Sequence, residues 1–411
     1  MQMKLTSDRL SGDVYVPSSK SLTHRYLIAA ALSGGCTVRN VSFSEDIYAT
    51  IRCLKALGLN CSTDEQNGTV CVEKGEKPCG EALFDCGESG STLRFFLPIA
   101  LQLCEQGAKF IGAGRLLARP QQPYFDIFDQ KGIAYAADEQ KITVSGKMES
   151  GVYYLSGAVS SQFVTGLLFA LSLCEGGESR IVITDELQSR AYVDMTIAAM
   201  QAFGVNVINH EYKEFVIPGG QQYQAADVSV EADYSQAAFF LTAAYFGHPV
   251  HVKGLNADSL QGDKAIVSIL EQMKKPGEVT VDIGEIPDLA PIIAVAASVR
   301  SGVTHIVNGL RLRYKESDRI ASTVTELKKL GADIKELPDG IEVVGKEKLG
   351  IGDVVTCDSW NDHRIAMAVA IAALQCSDPV TLNGAEAVSK SYPHFWETYR
   401  SLGGMVKECK Q

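Results

Sequence analysis

The side chains of this sequence that could do chemistry fall in short polar clusters, and most of them are cationic or carry a hydroxyl. PSSKSLTHR holds Lys20, Ser21 and Arg25, GESGSTLRF holds Gly90 and Arg94, and GRLLARP holds Arg115 and Arg119. SSQF supplies Ser160, Ser161 and Gln162, while QSRAY supplies Ser189 and Tyr192. Further on, IPDLAP contains Asp288, RYKESDR contains Lys315, Glu316, Asp318 and Arg319, NDHR contains His363 and Arg364, and VSKSYP contains Lys390. Cations beside hydroxyls suit phosphate or carboxylate groups, and arginine can hold either bidentately where lysine acts as a point charge. A carboxylate at the mouth of an apolar segment, as at Asp288, suits a helix cap or a general base. Each cluster alone admits a plainer role: a basic helix start, a glycine turn, an N-cap at Ser160, or a salt-bridged surface in RYKESDR. GDVYVPSSKS approaches a P-loop, but Ser19 stands where the glycine before Lys20 belongs, and that reading is set aside.

Six polar openings lead directly into Ala/Leu-rich segments, at Lys20, Gly90, Ser161, Ser235, Asp288 and His363, in steps of 70, 71, 74, 53 and 75 residues. A helix start presents unpaired N–H groups and a positive dipole end, so the repeat marks anion-ready positions. A second, amphipathic phrase interleaves with the first, from EDIYATIRCLKALGLNC to FWETYRSLGGMV, and five of its six copies end at a glycine. Strand-like runs such as ITVSG, FVIPG, VHVKG and IEVVG lie between. A helix apolar on all sides must be buried, and amphipathic ones can cover it. Three repeats therefore predict one domain with three central helices, and six predict two, with a boundary near VSVEADYSQ. The expected domains are 16–228 and 1–15 joined with 229–411, with the site in a cleft between them.

Lys20, Arg25, Arg94, Arg119, Lys315, Arg319, Arg364 and Lys390 together carry more positive charge than one anion needs, which points to two anionic substrates. They sit on a chain of 411 residues that is 46% hydrophobic and has a net charge of −11, a balance that argues against a broad nucleic-acid or anionic-membrane surface. No apolar run reaches the roughly 18–20 residues of a membrane span, and the first residues lack a signal-like apolar core, so a cytoplasmic location is expected. Eleven cysteines are scattered without metal-ligand spacing, which predicts reduced thiols and no metal site.

In their order, PSSKSLTHR, GESGSTLRF, GRLLARP, SSQF, SRAYVDMT, IPDLAP, RYKESDR, NDHR and KSYPHF resemble the 5-enolpyruvylshikimate-3-phosphate synthase family, over residues 12–393. The resemblance implies an α/β (α+β) fold of two similar domains, each of three βαβαββ units around buried parallel helices. It implies transfer of the enolpyruvyl group of phosphoenolpyruvate to the 5-hydroxyl of 3-phosphoshikimate. By the same resemblance, Lys20, Ser21, Arg25, Ser160, Ser161, Gln162, Ser189, Tyr192, Asp288 and Lys315 would bind 3-phosphoshikimate. Lys20, Gly90, Arg119, Gln162, Arg319, Arg364 and Lys390 would bind phosphoenolpyruvate. Asp288 would take the hydroxyl proton, and Glu316 with Lys20 would protonate the methylene carbon. Small-molecule substrates, no cofactor, no metal, no nucleic-acid or membrane partner and a monomeric state are expected. The alternatives are the sister transferase acting on UDP-N-acetylglucosamine and a non-catalytic phospho-ligand binder. Against the first, the stretch GAGRLLARPQQP lacks that enzyme's loop cysteine. Three positions depart from the family pattern: Glu88 for Asn, Phe95 for Pro, and Arg311 for an Asn that touches the shikimate ring.

Overall fold

Five of the six apolar segments become helices behind a side-chain cap placed just ahead of the polar opening. Ser19 accepts from Leu22 N, Ser89 from Thr92 N, Ser160 from Gln162 N, Asp233 from Ser235 N and Asp362 from Arg364 N. The computed structural model describes residues 1–6, 9–76 and 79–409, and the chain divides into two compact units, Ser18–Glu231 and Met1–Pro17 with Ala232–Gln411.

In the unit of Ser18–Glu231 the helices are α1 (Lys20–Leu32), α2 (Glu45–Ala56), α3 (Gly90–Leu103), α4 (Gln122–Lys131), α5 (Ser161–Leu171) and α6 (Arg190–Ala202). The odd-numbered three are the apolar phrase and are largely buried; the others are amphipathic and cover them. Gly132 closes α4 in the left-handed region at φ 66°, as the terminal glycine predicts. Three sheets repeat one pattern. Ala82–Asp85 pairs in parallel with Ala108–Ile111, which adds Ile142–Ser145 and then Ala134–Ala137, both antiparallel. Val152–Leu155, Ser179–Ile183, Glu214–Ile217 and Ile208–His210 form the second sheet. Val228–Ser229, Thr37–Arg39, Thr69–Lys74 and Leu59–Asp64 form the third.

The second unit holds α7 (Tyr234–Tyr245), α8 (Ile266–Met273), α9 (Ala290–Ser298), α10 (Arg319–Lys329), α11 (His363–Ala373) and α12 (Phe395–Ser401). Its apolar helices α7, α9 and α11 are again the core. One sheet runs Val279–Asp282, Val303–Val307, Gly340–Val344, Asp333–Leu337 in the same parallel-then-antiparallel order. Another runs Val355–Asp358, Val380–Asn383, Gln2–Leu5, Val406–Glu408, so the first strand of the chain completes the last repeat. The remaining sheet, Gly12–Tyr15 beside Val250–Lys253, has only its parallel pair among the described residues. Here the structure departs from six full repeats: the fourth lacks its closing hairpin, which explains the short step of 53 residues between Ser235 and Asp288. Two first strands are also exchanged in chain order. Gly12–Tyr15 precedes α1 yet pairs beside α7, and Val228–Ser229 precedes α7 yet pairs beside α1.

Helices α3 and α5 pack closely because Gly166 on α5 has no side chain. A Cβ there would overlap Tyr124 Oη and the Arg94 carbonyl, and Tyr124 donates to that carbonyl at 2.7 Å and to Phe163 O at 3.0 Å. Gly166→Ala is expected to lower unfolding free energy by about 1–3 kcal/mol through overpacking. Urea denaturation checks this, and an unchanged midpoint would show that the helices can part without cost.

Candidate active site

In the unit of Ser18–Glu231, α1 delivers Lys20, Ser21 and Arg25 on successive turns. Lys20 Nζ lies 2.6 Å from Oδ2 of Asp46, which stands in the first turn of α2. Arg25 is 2% exposed, and its guanidinium donates to Thr196 Oγ1 (2.8 Å), Ser21 O (2.6 Å), Tyr192 O (2.9 Å) and Thr165 Oγ1 (3.3 Å). Phe95, one of the departures from the family pattern, lies 5.2 Å from the Arg25 guanidinium carbon, a cation–π contact. No carboxylate among the described residues pairs with Arg25, and burial pushes its pKa down to about 10. A buried cation held only by neutral groups favours an incoming anion.

A second cluster joins α3, α5 and the GRLLARP loop. Arg94 donates to Gln162 Oε1 (2.8 Å) and Pro120 O (3.0 Å), and lies 4.7 Å over the Phe163 ring. Gln162 Nε2 in turn donates to Ser91 Oγ at 2.9 Å. A methyl group on Gly90 would stand 3.0 Å from Arg119 Nη1 and 3.7 Å from Gln162 Oε1. The bare backbone at Gly90 thus brings three of the sequence-predicted residues together. Ser160 serves as the cap of α5, the plainer role foreseen for it, and Ser161 begins the helix. Ser189 adopts φ 56° ahead of α6, which carries Tyr192 one turn in. Glu88, another departure, lies against Gly114 of the GRLLARP loop.

In the second unit the cluster is denser and ionic. Asp288 stands in a 3₁₀ turn, Pro287–Leu289, and does not cap α9. Its carboxylate instead meets Arg319 Nη1 (2.8 Å), Arg364 Nη2 (2.9 Å) and Lys315 Nζ (3.5 Å). Of the two roles open to it from sequence, the cap is therefore excluded. Arg319, 2% exposed at the start of α10, also meets Glu316 Oε2 (2.6 Å) and Asp362 Oδ2 (2.8 Å). RYKESDR is thus not a surface ladder: only Arg313, beside Asp318 and Glu336, plays that part. Lys390 Nζ donates to Asn361 O at 2.6 Å. Arg311 donates to Gly284 O, which occupies the side chain that replaces the family's Asn.

Opposed forces set the Asp288 carboxyl. Burial pushes it up, but Arg364, Lys315 and Arg319 together hold it well below the usual carboxylate range. Burial lowers Lys315 to about 8, with Arg319 adding to it and Asp288 opposing. Asp263, buried behind this cluster, is pushed up to about 7 by burial and then by Asp288. Its Oδ2 accepts from Ser235 Oγ, so the opening at Ser235 supplies a partner to a carboxylate beside the cluster.

Three supporting carboxylates escaped the sequence reading. Asp46, Asp263 and Asp362 are buried, and each contacts or electrostatically influences a predicted residue. Asp362 lay in view inside NDHR, but its place against Arg319 depends on a pairing 43 residues apart. Asp362 is 0% exposed and also accepts from Ser317 Oγ and the Arg364 amide. Asp362→Ala is expected to cost about 3–5 kcal/mol, because it leaves the buried Arg319 Nε without its acceptor and removes the cap of α11. Asp362→Asn, which retains an acceptor for the Arg364 amide, is expected to cost less. Equal unfolding midpoints for wild type and the Ala variant in urea would refute the assignment.

With this geometry in view, comparison with known proteins is direct. The sequence model of the EPSP synthase (3-phosphoshikimate 1-carboxyvinyltransferase) family matches residues 5–399. The chain is 44% identical over 432 residues to the 3-phosphoshikimate 1-carboxyvinyltransferase of Clostridium novyi strain NT, covering 99% of this chain and 98% of that protein. It is 45% identical over 425 residues to the protein of that name from Clostridium acetobutylicum, with the same two shares. Among solved structures, the EPSP synthase of Acinetobacter baumannii superimposes with a TM-score of 0.79 at 24% identity, over 99% of this chain and 100% of that one. The enolpyruvyl transferase NikO of Streptomyces tendae gives 0.80 at 16% identity, over 100% and 99%, and both likenesses establish the shared fold. The chain belongs to the EPSP synthase (3-phosphoshikimate 1-carboxyvinyltransferase) family.

Proposed function

We propose that this protein transfers the enolpyruvyl group of phosphoenolpyruvate to the 5-hydroxyl of 3-phosphoshikimate and releases phosphate. The observation that carries the reading is Asp288, a carboxylate with no capping duty, held by Arg319, Arg364 and Lys315. Family membership and the named relatives support this acceptor rather than UDP-N-acetylglucosamine.

Arg25, with Ser21 and Tyr192 beside it, is read as a ligand for an anionic group of 3-phosphoshikimate, together with Lys20, Ser160, Ser161, Gln162, Ser189, Asp288 and Lys315. Arg119, Gln162 and the open backbone at Gly90 are read as donor ligands with Lys20, Arg319, Arg364 and Lys390. A proton is added to the methylene carbon of phosphoenolpyruvate, with Glu316 and Lys20 as the proposed donors. The resulting electrophilic C2 forms a bond to the 5-hydroxyl oxygen while Asp288 takes the hydroxyl proton. The C2–O bond to phosphate then breaks, and loss of a methyl proton restores the vinyl group.

The electrostatics give this order a physical reason. Without substrate, three cations make Asp288 a poor base. A donor whose carboxylate and phosphate engage Arg319 and Arg364 draws their charge away, and the opposing effect of burial then prevails. Donor binding therefore strengthens the base that the reaction needs. The same reading takes the protein as a cytoplasmic monomer; eleven cysteines without a disulfide fit a reducing compartment, and no helix among the described residues is long and apolar enough to cross a membrane.

Phosphate release is expected only when both phosphoenolpyruvate and 3-phosphoshikimate are present; release with UDP-N-acetylglucosamine instead would overturn the reading. In the same assay Asp288→Asn is expected to lower kcat by roughly 10²–10⁴-fold, far more than it raises either KM, as loss of a general base requires. Parallel losses in binding and turnover would remove that role. The pH profile gives an independent check. Lys315 is cationic below about 8 and neutral above, so kcat/KM for 3-phosphoshikimate is expected to fall as pH rises through that value. Lys315→Arg, which stays charged, should abolish this alkaline limb; an unaltered limb would assign it to another group.

A further inference from the structure

Two turns beyond Arg319 on the same buried face of α10 lies Glu326, a carboxylate that the proposed chemistry does not use and that is 1% exposed. Its Oε1 accepts from the Trp360 indole Nε1 at 2.7 Å, and its Oε2 accepts from the Asp358 amide at 3.0 Å. Lys329 Nζ, at 2.9 and 3.0 Å from the two oxygens, balances its charge. Trp360 and Asn361 are consecutive residues in the left-handed region, at φ 55° and 52°. Asparagine tolerates that region, whereas a bulky tryptophan adopts it only when its surroundings compel it. Local bonds contribute, from Trp360 N to Asp358 Oδ1 (2.6 Å) and from Asn361 N to Ser359 Oγ (3.2 Å). From another element, Glu326 bonds both the Asp358 amide ahead of the pair and the Trp360 indole within it.

What the turn delivers lies immediately downstream. Asn361 O receives Lys390 Nζ, Asp362 caps α11 and holds Arg319, and Arg364 follows. We propose that Glu326 is a positioning residue for the donor site: by bonding the Trp360 indole and the Asp358 amide, it holds the left-handed Trp360–Asn361 pair that seats Lys390. The inference rests on the reading of Lys390 and Arg364 as phosphoenolpyruvate ligands.

Glu326→Gln keeps the shape of the side chain but offers one acceptor oxygen where two donors and a lysine converge. Steady-state kinetics with both substrates are expected to show KM for phosphoenolpyruvate raised on the order of tenfold, short of the hundredfold that a 1 Å misplacement can cost. KM for 3-phosphoshikimate and kcat should each change by less than about threefold, as expected for a group acting on donor placement alone. Trp360→Phe, which removes the indole donor, should give the same donor-specific defect in milder form. The double variant should match Glu326→Gln rather than the product of the two effects. The chain has two tryptophans, so subtracting the Trp360→Phe emission spectrum isolates Trp360, and its emission should shift to the red in Glu326→Gln. Unchanged donor KM, equal changes in both KM values, or multiplying effects in the double variant would each overturn the clamp. Lys390→Ala separates this from the site reading: if that variant leaves donor KM unchanged, the donor assignment falls and the clamp with it, whereas a Lys390 defect beside a silent Glu326→Gln defeats the clamp alone.

Discussion

A guanidinium buried to 2% exposure among three carboxylates is the interaction on which the second unit's site depends. Asp362, Glu316 and Asp288 offset the cost of burying the Arg319 charge, and Arg319 in turn is the counter-charge that those three acids share. Burial works against the charge of Arg319, yet its three partners raise its pKa above that of an ordinary arginine. The arrangement fixes four segments relative to one another: the 3₁₀ turn before α9, the loop ahead of α10, α10 itself and the cap of α11. Each functional side chain is thereby held by a neighbour that also has a role. The cost is that the free site is electrostatically balanced, and its base is weak until an anion disturbs the balance.

The first unit solves its electrostatics differently. Arg25 is surrounded by hydroxyls, carbonyls and aromatic faces instead of acids. Such an environment leaves the positive charge uncompensated and favours a ligand that brings its own negative charge. The two halves of a duplicated fold thus carry opposite strategies. One is poised around an internal carboxylate, the other around an unneutralised cation. Divergence of this kind suits a reaction with one group that must be activated and another that needs only to be held.

Much of the fold was legible in the chain because its signals are local. Apolar segments behind serine or aspartate caps, and amphipathic ones ending at glycine, announce helices without reference to distant residues. The pitch of about 70 residues revealed the repeat, and even its irregular step of 53 marked the place where a hairpin is missing. The exchange of Gly12–Tyr15 and Val228–Ser229 was not legible, since strand pairing at that separation leaves no local trace. Within the site, cations and Asp288 stood out by type and by position at helix mouths. Asp46, Asp263, Asp362 and Glu326 did not, because an acid near a helix start reads as a cap or a solvated charge until its partner is known. Long-range pairing, more than residue type, separates the legible part of the site from the rest.

The strand Gln2–Leu5 lies between Val380–Asn383 and Val406–Glu408. It is thus the inner strand of a sheet whose other members lie far along the chain, from Val355 onward. The unit of Ser18–Glu231 contains all its own strands and can close while synthesis continues, whereas the other must keep Gln2–Leu5 waiting until its distant partner strands are made. The entropic cost of so long a closure grows only slowly with length. The exposure lasts as long as the intervening residues take to make, so assembly of this unit is a matter of timing: one strand finds its place only when its distant partners arrive.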